Sequence, residues 1–154
     1  MADEPTSTVW PATAVVTGHG RGRPLLLDQP LSFWGGYDAA AGRIIEAGHP
    51  QYGSGLAGRV MLMARAKGSS SSSSVLAEAI RNGTGPAAII MRERDLIVGL
   101  GCIVASELYG LHVPVVVVAA SVWENMEAQT NGVSQAWAIG AESCGDCVVR
   151  MVAQ

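Results

Sequence analysis

Between Ala57 and Val118, short aliphatic runs alternate with stretches of helical spacing: AGRVMLMA, SVLAEAIRNG, AAIIM, DLIVGLGCIVASELYG and VPVVVV. Brief apolar runs bounded by turn signals read as buried strands, and the longer stretches between them read as crossover helices joining parallel strands. Both helices carry stop signals, Gly83 and Gly110, placed where a left-handed residue ends a helix. Upstream, TAVVTG and PLLLD read as strands joined by the glycine-studded HGRGR, with a shorter strand in GRIIEA. Downstream, SVWENMEA reads as a short helix, and QAWAI and VVRMV as two closing strands. The expected class is α/β, with an all-β first half and a β/α second half. The 154 residues suit one domain with a real core, expected over residues 11–154, with residues 1–10 as a flexible tail.

Ten basic residues against 13 acidic ones give a net charge of −3, which argues for no nucleic-acid partner. Only 15% of the chain is charged and its mean hydropathy is +0.27, so a glycine-rich, lean surface is expected to be covered in part by a partner. The most apolar run, VPVVVVAASV, falls well short of the roughly 20 residues a spanning helix needs, so no membrane association is expected. MADEPTSTVW is acidic and polar, unlike a signal peptide, and three cysteines form no even framework. A cytoplasmic, reducing location is expected.

The stretch KGSSSSSSVLAEAIRNG, Lys67 to Gly83, poses the functional question. A serine tract is flexible in isolation, but here it sits between a strand and a helix. The first amides of a helix lack partners and carry partial positive charge, so serines there can cap the helix or present their hydroxyls to an anion. A hydroxyl in such a field can also serve as a base once it loses its proton. The order Lys-Gly-Ser excludes a Walker-type phosphate loop, which needs Gly-Lys-Ser.

From about Gly18 to Val118, LSFWGGYDAAAGRIIEAGHPQYGSGLAGRVMLM, KGSSSSSSVLAEAI, GPAAIIM and IVGLGCIVASELYGLHVPVVVV occur in an order that resembles the small subunit, or swivel domain, of the aconitase X family. The resemblance implies a swivelling β/β/α fold, a barrel or sandwich with flanking helices. It also implies a hydro-lyase built from this small part and a large part that carries an iron–sulfur cluster. No cofactor is expected on this chain itself. Family activities include dehydration of cis-3-hydroxy-L-proline in bacteria and of mevalonate 5-phosphate in archaea. By analogy the substrate is expected to be a small anionic or zwitterionic hydroxy acid, with the hydroxyproline type favoured. In aconitase-type enzymes a Gly-Ser-Ser turn supplies an alkoxide-like base. Gly68-Ser69-Ser70 matches it, which makes Ser69 the candidate base and Ser70 an anion-binding neighbour, with the register along the run left open.

Ser32, Gly35, Gly36 and Asp38, in SFWGG-x-D, are expected to line the substrate site, because paired glycines let backbone approach a ligand; the alternative is a packed turn with Trp34 buried. His49, in a Gly-His-Pro turn, is read as a substrate-contacting or hydrogen-bonded structural histidine. A phosphate-accepting role for His49 is what a phosphohistidine carrier would require. A non-catalytic anion-binding module is the other alternative. His19 and His112 read as structural or solvated, and the Arg21/Arg23 loop as solvated, with attraction of an anionic substrate as the alternative. Cys144 and Cys147 have metal-ligand spacing, but two thiolates fall short of the three or four a cluster needs, and no metal site is expected. Cys102 reads as a core residue.

Overall fold

The computed structural model describes residues 8–131 and 135–152; the expected tail lies outside them up to residue 7. The elements are β1 (Val9–Val16), β2 (Gly18–Leu27), a short helical turn α1 (Phe33–Gly36), β3 (Tyr37–Asp38), β4 (Arg43–Ile44), β5 (Arg59–Met63), α2 (Ser72–Arg81), β6 (Ala88–Met91), α3 (Leu96–Tyr109), β7 (Val115–Val117), α4 (Ala120–Gln129), β8 (Ala136–Ala141) and β9 (Gly145–Val152). Seven strands close into a barrel in the order β1-β7-β6-β5-β2-β8-β9, and β9 pairs back onto β1. β5, β6 and β7 run parallel, as the alternation of strands and helices predicts, and β2, from the half read as all-β, lies parallel to β5; the remaining pairings are antiparallel.

Period-two alternation divides the apolar residues between two cores. Val60, Leu62, Ala88, Ile90, Val116 and Val118 join Trp10, Trp137, Ile139 and Val149 in one cluster, to which α4 adds Trp123 and Met126. The Trp10 and Trp137 rings lie 4.6 Å apart at its centre. The intervening Met61, Met63, Ile89, Met91 and Val115 face the other way, under Leu76, Ile80, Val98, Cys102 and Ala105 of α2 and α3. Gly101 lets the two helices pack closely, since a Cβ there would stand 2.9 Å from the Ser73 carbonyl oxygen.

Two expectations are corrected. β1 begins at Val9, and Trp10 is only 4% exposed, so Val9 and Trp10 belong to the barrel although both fall in the segment expected as a tail. HGRGR is no connection; it is the first half of the ten-residue strand β2. Its glycines answer to close approach: a Cβ on Gly20 or Gly22 would overlap the carbonyl oxygen of Ala87 or Gly58, respectively. Helix ends match expectation, with Gly83 at φ +78° after α2 and Gly110 at φ +66° after α3.

Candidate functional site

The serine run forms an ordered entry to α2. Gly68, at φ +101°, turns the chain, and a Cβ there would overlap the Ser32 hydroxyl. Glycine at 68 therefore brings the serine turn and the FWGG segment into contact. Ser71 donates its N–H to Ser69 Oγ at 3.1 Å, and Ser72 donates its N–H to the Ser69 carbonyl at 3.0 Å. Ser73 and Ser74 turn their hydroxyls back onto the carbonyls of Ser70 and Ser71, at 2.9 and 2.8 Å. Ser72 is buried, and its Oγ accepts the Trp34 N–H at 3.1 Å. Ser69, Ser70 and Ser71 stay exposed, and the Ser70 and Ser71 hydroxyls have no hydrogen-bond partner among the described residues.

The FWGG segment folds over this turn. Ser32 donates its hydroxyl to the Trp34 carbonyl at 2.9 Å and its N–H to Glu46 Oε1 at 3.4 Å. Lys67 reaches the other oxygen of Glu46 at 2.9 Å, so one carboxylate clips the residue before Gly68 to the loop holding Ser32. Burial pushes the Glu46 carboxyl up, but the bonds from Lys67 and the Ser32 N–H outweigh it and hold the group below the usual glutamate value. Beneath lies a cavity of about 120 Å³ whose lining includes Leu31, Phe33, Lys67, Gly68, Ser72 and Asp95. Asp95 caps α3, accepting the Val98 N–H at 2.8 Å, so both α2 and α3 begin at this cavity.

The residues expected at the site divide into two groups. Ser32 sits against Gly68, the residue before Ser69 and Ser70, and Gly35 lies in an exposed turn at φ +78° with no atom near its missing Cβ. Trp34 is 59% exposed, against the alternative of a packed turn with that ring buried. Gly36, Asp38 and His49 do internal work. Gly36 is buried, and its carbonyl accepts the N–H groups of Ile45 and Glu46. Asp38 Oδ1 accepts the N–H groups of Ala40 and Ala41, closing the turn between β3 and β4. His49 is 4% exposed; its Nδ1 accepts the Gln51 N–H, so Nε2 carries the proton and donates it to the Gln29 carbonyl at 3.1 Å. Both ring nitrogens of His49 are thus committed to backbone.

Sequence reading missed the Lys67–Glu46 clip and the Trp34–Ser72 bond. The one available signal was that Lys67 is the only lysine in the chain.

A family model described as the aconitase X swivel domain matches residues 9–134. Over 101 residues the chain is 44% identical to a cis-3-hydroxy-L-proline dehydratase of Pseudomonas aeruginosa, covering 66% of this chain and 17% of that protein. Over 88 residues it is 42% identical to a phosphomevalonate dehydratase small subunit of Methanothermobacter thermautotrophicus, covering 57% of this chain and 67% of that subunit. The crystal structure of Thermococcus kodakaraensis aconitase X (holo-form) superposes with a TM-score of 0.75 at 25% identity, over 95% of this chain and 99% of that one. The match spans only about a fifth of the length of the cis-3-hydroxy-L-proline dehydratases, 17% and 21% for two of them.

Proposed function

The chain belongs to the aconitase X swivel-domain family, and on that premise we propose that it is the small, swivel part of a hydro-lyase that presents Ser69 as the base. One observation carries the assignment within the run: the Ser69 oxygen is exposed and accepts the N–H of Ser71, the residue just before α2, while the hydroxyls of Ser72, Ser73 and Ser74 are engaged internally. A serine oxygen works as a base only as an alkoxide, and a donated N–H together with the positive end of α2 favours that charged form. Ser69 Oγ takes the proton from the carbon beside the substrate carboxylate. The released electron pair forms the double bond, and hydroxide leaves from the neighbouring carbon. Ser70, with its unengaged hydroxyl, and the exposed Gly35 turn hold the anionic substrate; Ser32 fixes the loop that carries that turn.

Departure of hydroxide calls for a Lewis acid. Among the described residues no group of three or more His, Cys, Asp or Glu side chains is arranged to hold a metal ion. Cys102 is buried in α3, and Cys144 and Cys147 lie at the start of β9. The residues here do not fit a cluster, so that chemistry falls to the iron–sulfur cluster expected on a large aconitase X-type subunit. No helix among the described residues is long and apolar enough to cross a membrane, and a cytoplasmic enzyme is the setting this reading expects.

The substrate we favour is cis-3-hydroxy-L-proline, supported by the 44% identity to a dehydratase of that name. Mevalonate 5-phosphate is the second reading, favoured by the 42% identity to a phosphomevalonate dehydratase small subunit. A phosphohistidine carrier finds no support, because His49 is buried with both nitrogens bonded. The test mixes the purified chain with the large subunit and follows loss of water from each compound. Turnover of the hydroxyproline by the mixture alone is the expected result. Turnover of neither compound, or turnover by this chain alone with metals chelated, would overturn the proposal.

A further inference from the structure

Helix α3 is apolar nearly all round: LIVGLGCIVASELY contains a single charged residue, Glu107. Such a helix belongs in a core, covered on every side. Here only one side is covered. Val98, Gly99, Gly101, Cys102 and Ala105 are buried, whereas Leu96 is 81% exposed, Leu100 50% and Ile103 46%. At spacings of four and three residues these three form one stripe, and Glu107 closes it one turn further on. Beside the stripe runs a groove of about 540 Å³, walled on its other side by Val15 and Val16 of β1.

From this stripe we infer that α3 carries the main docking surface for the large aconitase X-type subunit, an inference that rests on the function proposed above. Continuity identifies the occupant. Asp95 lines both this groove and the cavity under the serine turn, so the stripe begins where the site ends. A large part that brings its chemistry to Ser69 must pass over Asp95 and Leu96, and the next surface it meets is Leu100 and Ile103. Arg94 stands at the rim of the groove with no carboxylate in ion-pair distance among the described residues. The chemistry expected of the partner is therefore an apolar ridge with an acidic residue opposite Arg94.

The test titrates the full chain with the large subunit from the same genome and compares wild type with Leu100→Glu, Ile103→Glu and the double variant. Leu108→Glu is the control, because it is also exposed on α3 but lies about 120° around the helix from Leu96. The double variant should bind about tenfold or more weakly, with unchanged circular dichroism, and Leu108→Glu should bind like wild type. If wild type binds and the double variant binds equally well, the inference is overturned while the proposed function stands. If the variants instead break a homodimer and leave binding of the large subunit intact, the stripe belongs to a second copy and the inference is again overturned. If wild type itself does not bind, the proposed function fails and takes the inference with it.

Discussion

Trp34 donates its backbone N–H to the buried hydroxyl of Ser72 at 3.1 Å, across 38 residues of sequence. That bond fixes the FWGG loop to the start of α2 and makes one of the six serines an internal anchor. In Ser72→Ala the Trp34 N–H loses its acceptor. An unmade bond at a partly buried donor costs about 1–3 kcal/mol, so chemical denaturation should show a loss in that range. Amide exchange at Trp34 should speed up by more than exchange in β6.

Gly68→Ala is expected to destabilise the chain for two separable reasons, overlap with Ser32 and a left-handed φ of +101°. Each contributes on the order of 1–3 kcal/mol. Adding Ser32→Gly should recover the part due to overlap and leave the backbone part. Full recovery in the double variant, read from melting curves, would show that the φ carries no strain.

Glu46 gives the site a pH dependence whose sign is fixed. Its folded value lies below the ordinary glutamate value, so its contribution to stability is fully present above that ordinary value and is lost as pH falls through the lower, folded one. In Lys67→Met the burial effect remains and the main opposing bond is gone. The Glu46 carboxyl should then titrate at higher pH than in wild type, as followed by carboxyl NMR shifts. An unchanged titration would mean that Lys67 does not hold the clip in solution.

The three thiols should react in a set order. Burial pushes Cys102 up to about 12, whereas Cys144 is exposed. At pH 8 an alkylating reagent should modify Cys144 quickly and Cys102 only after unfolding. Cys147, raised by burial and then by the neighbouring Asp146, should fall between them. Rapid modification of native Cys102 would place α3 differently from its packing here.

Much of this was legible in the chain because the relevant signals are local. The strand and helix alternation and the stops at Gly83 and Gly110 follow from periodicity and from glycine at the helix ends. HGRGR was misread because a glycine that makes a turn and a glycine pressed by a neighbouring strand look alike in sequence; only the contacts with Ala87 and Gly58 tell them apart. The backbone bonds of Asp38 and His49 were hidden for a related reason. Both are polar residues in a glycine-rich loop, and whether they face a ligand or their own backbone depends on the loop's path. The Lys67–Glu46 clip spans 21 residues and has no local pattern at all.

The central claim is that Ser69 is the base, and the most direct measurement is turnover by the assembled enzyme carrying Ser69→Ala, beside Ser70→Ala and Ser71→Ala. Loss of an exposed oxygen that only braces the turn before α2 costs about 1 kcal/mol of stability or less and leaves the chemistry in place. Loss of the base lowers the rate by roughly 10²–10⁴ with little change in melting temperature. The account predicts the second result for Ser69→Ala, a raised KM with kcat largely kept for Ser70→Ala, and near-normal rates for Ser71→Ala. Near-normal turnover in all three variants would contradict it and leave the run as a capped helix start.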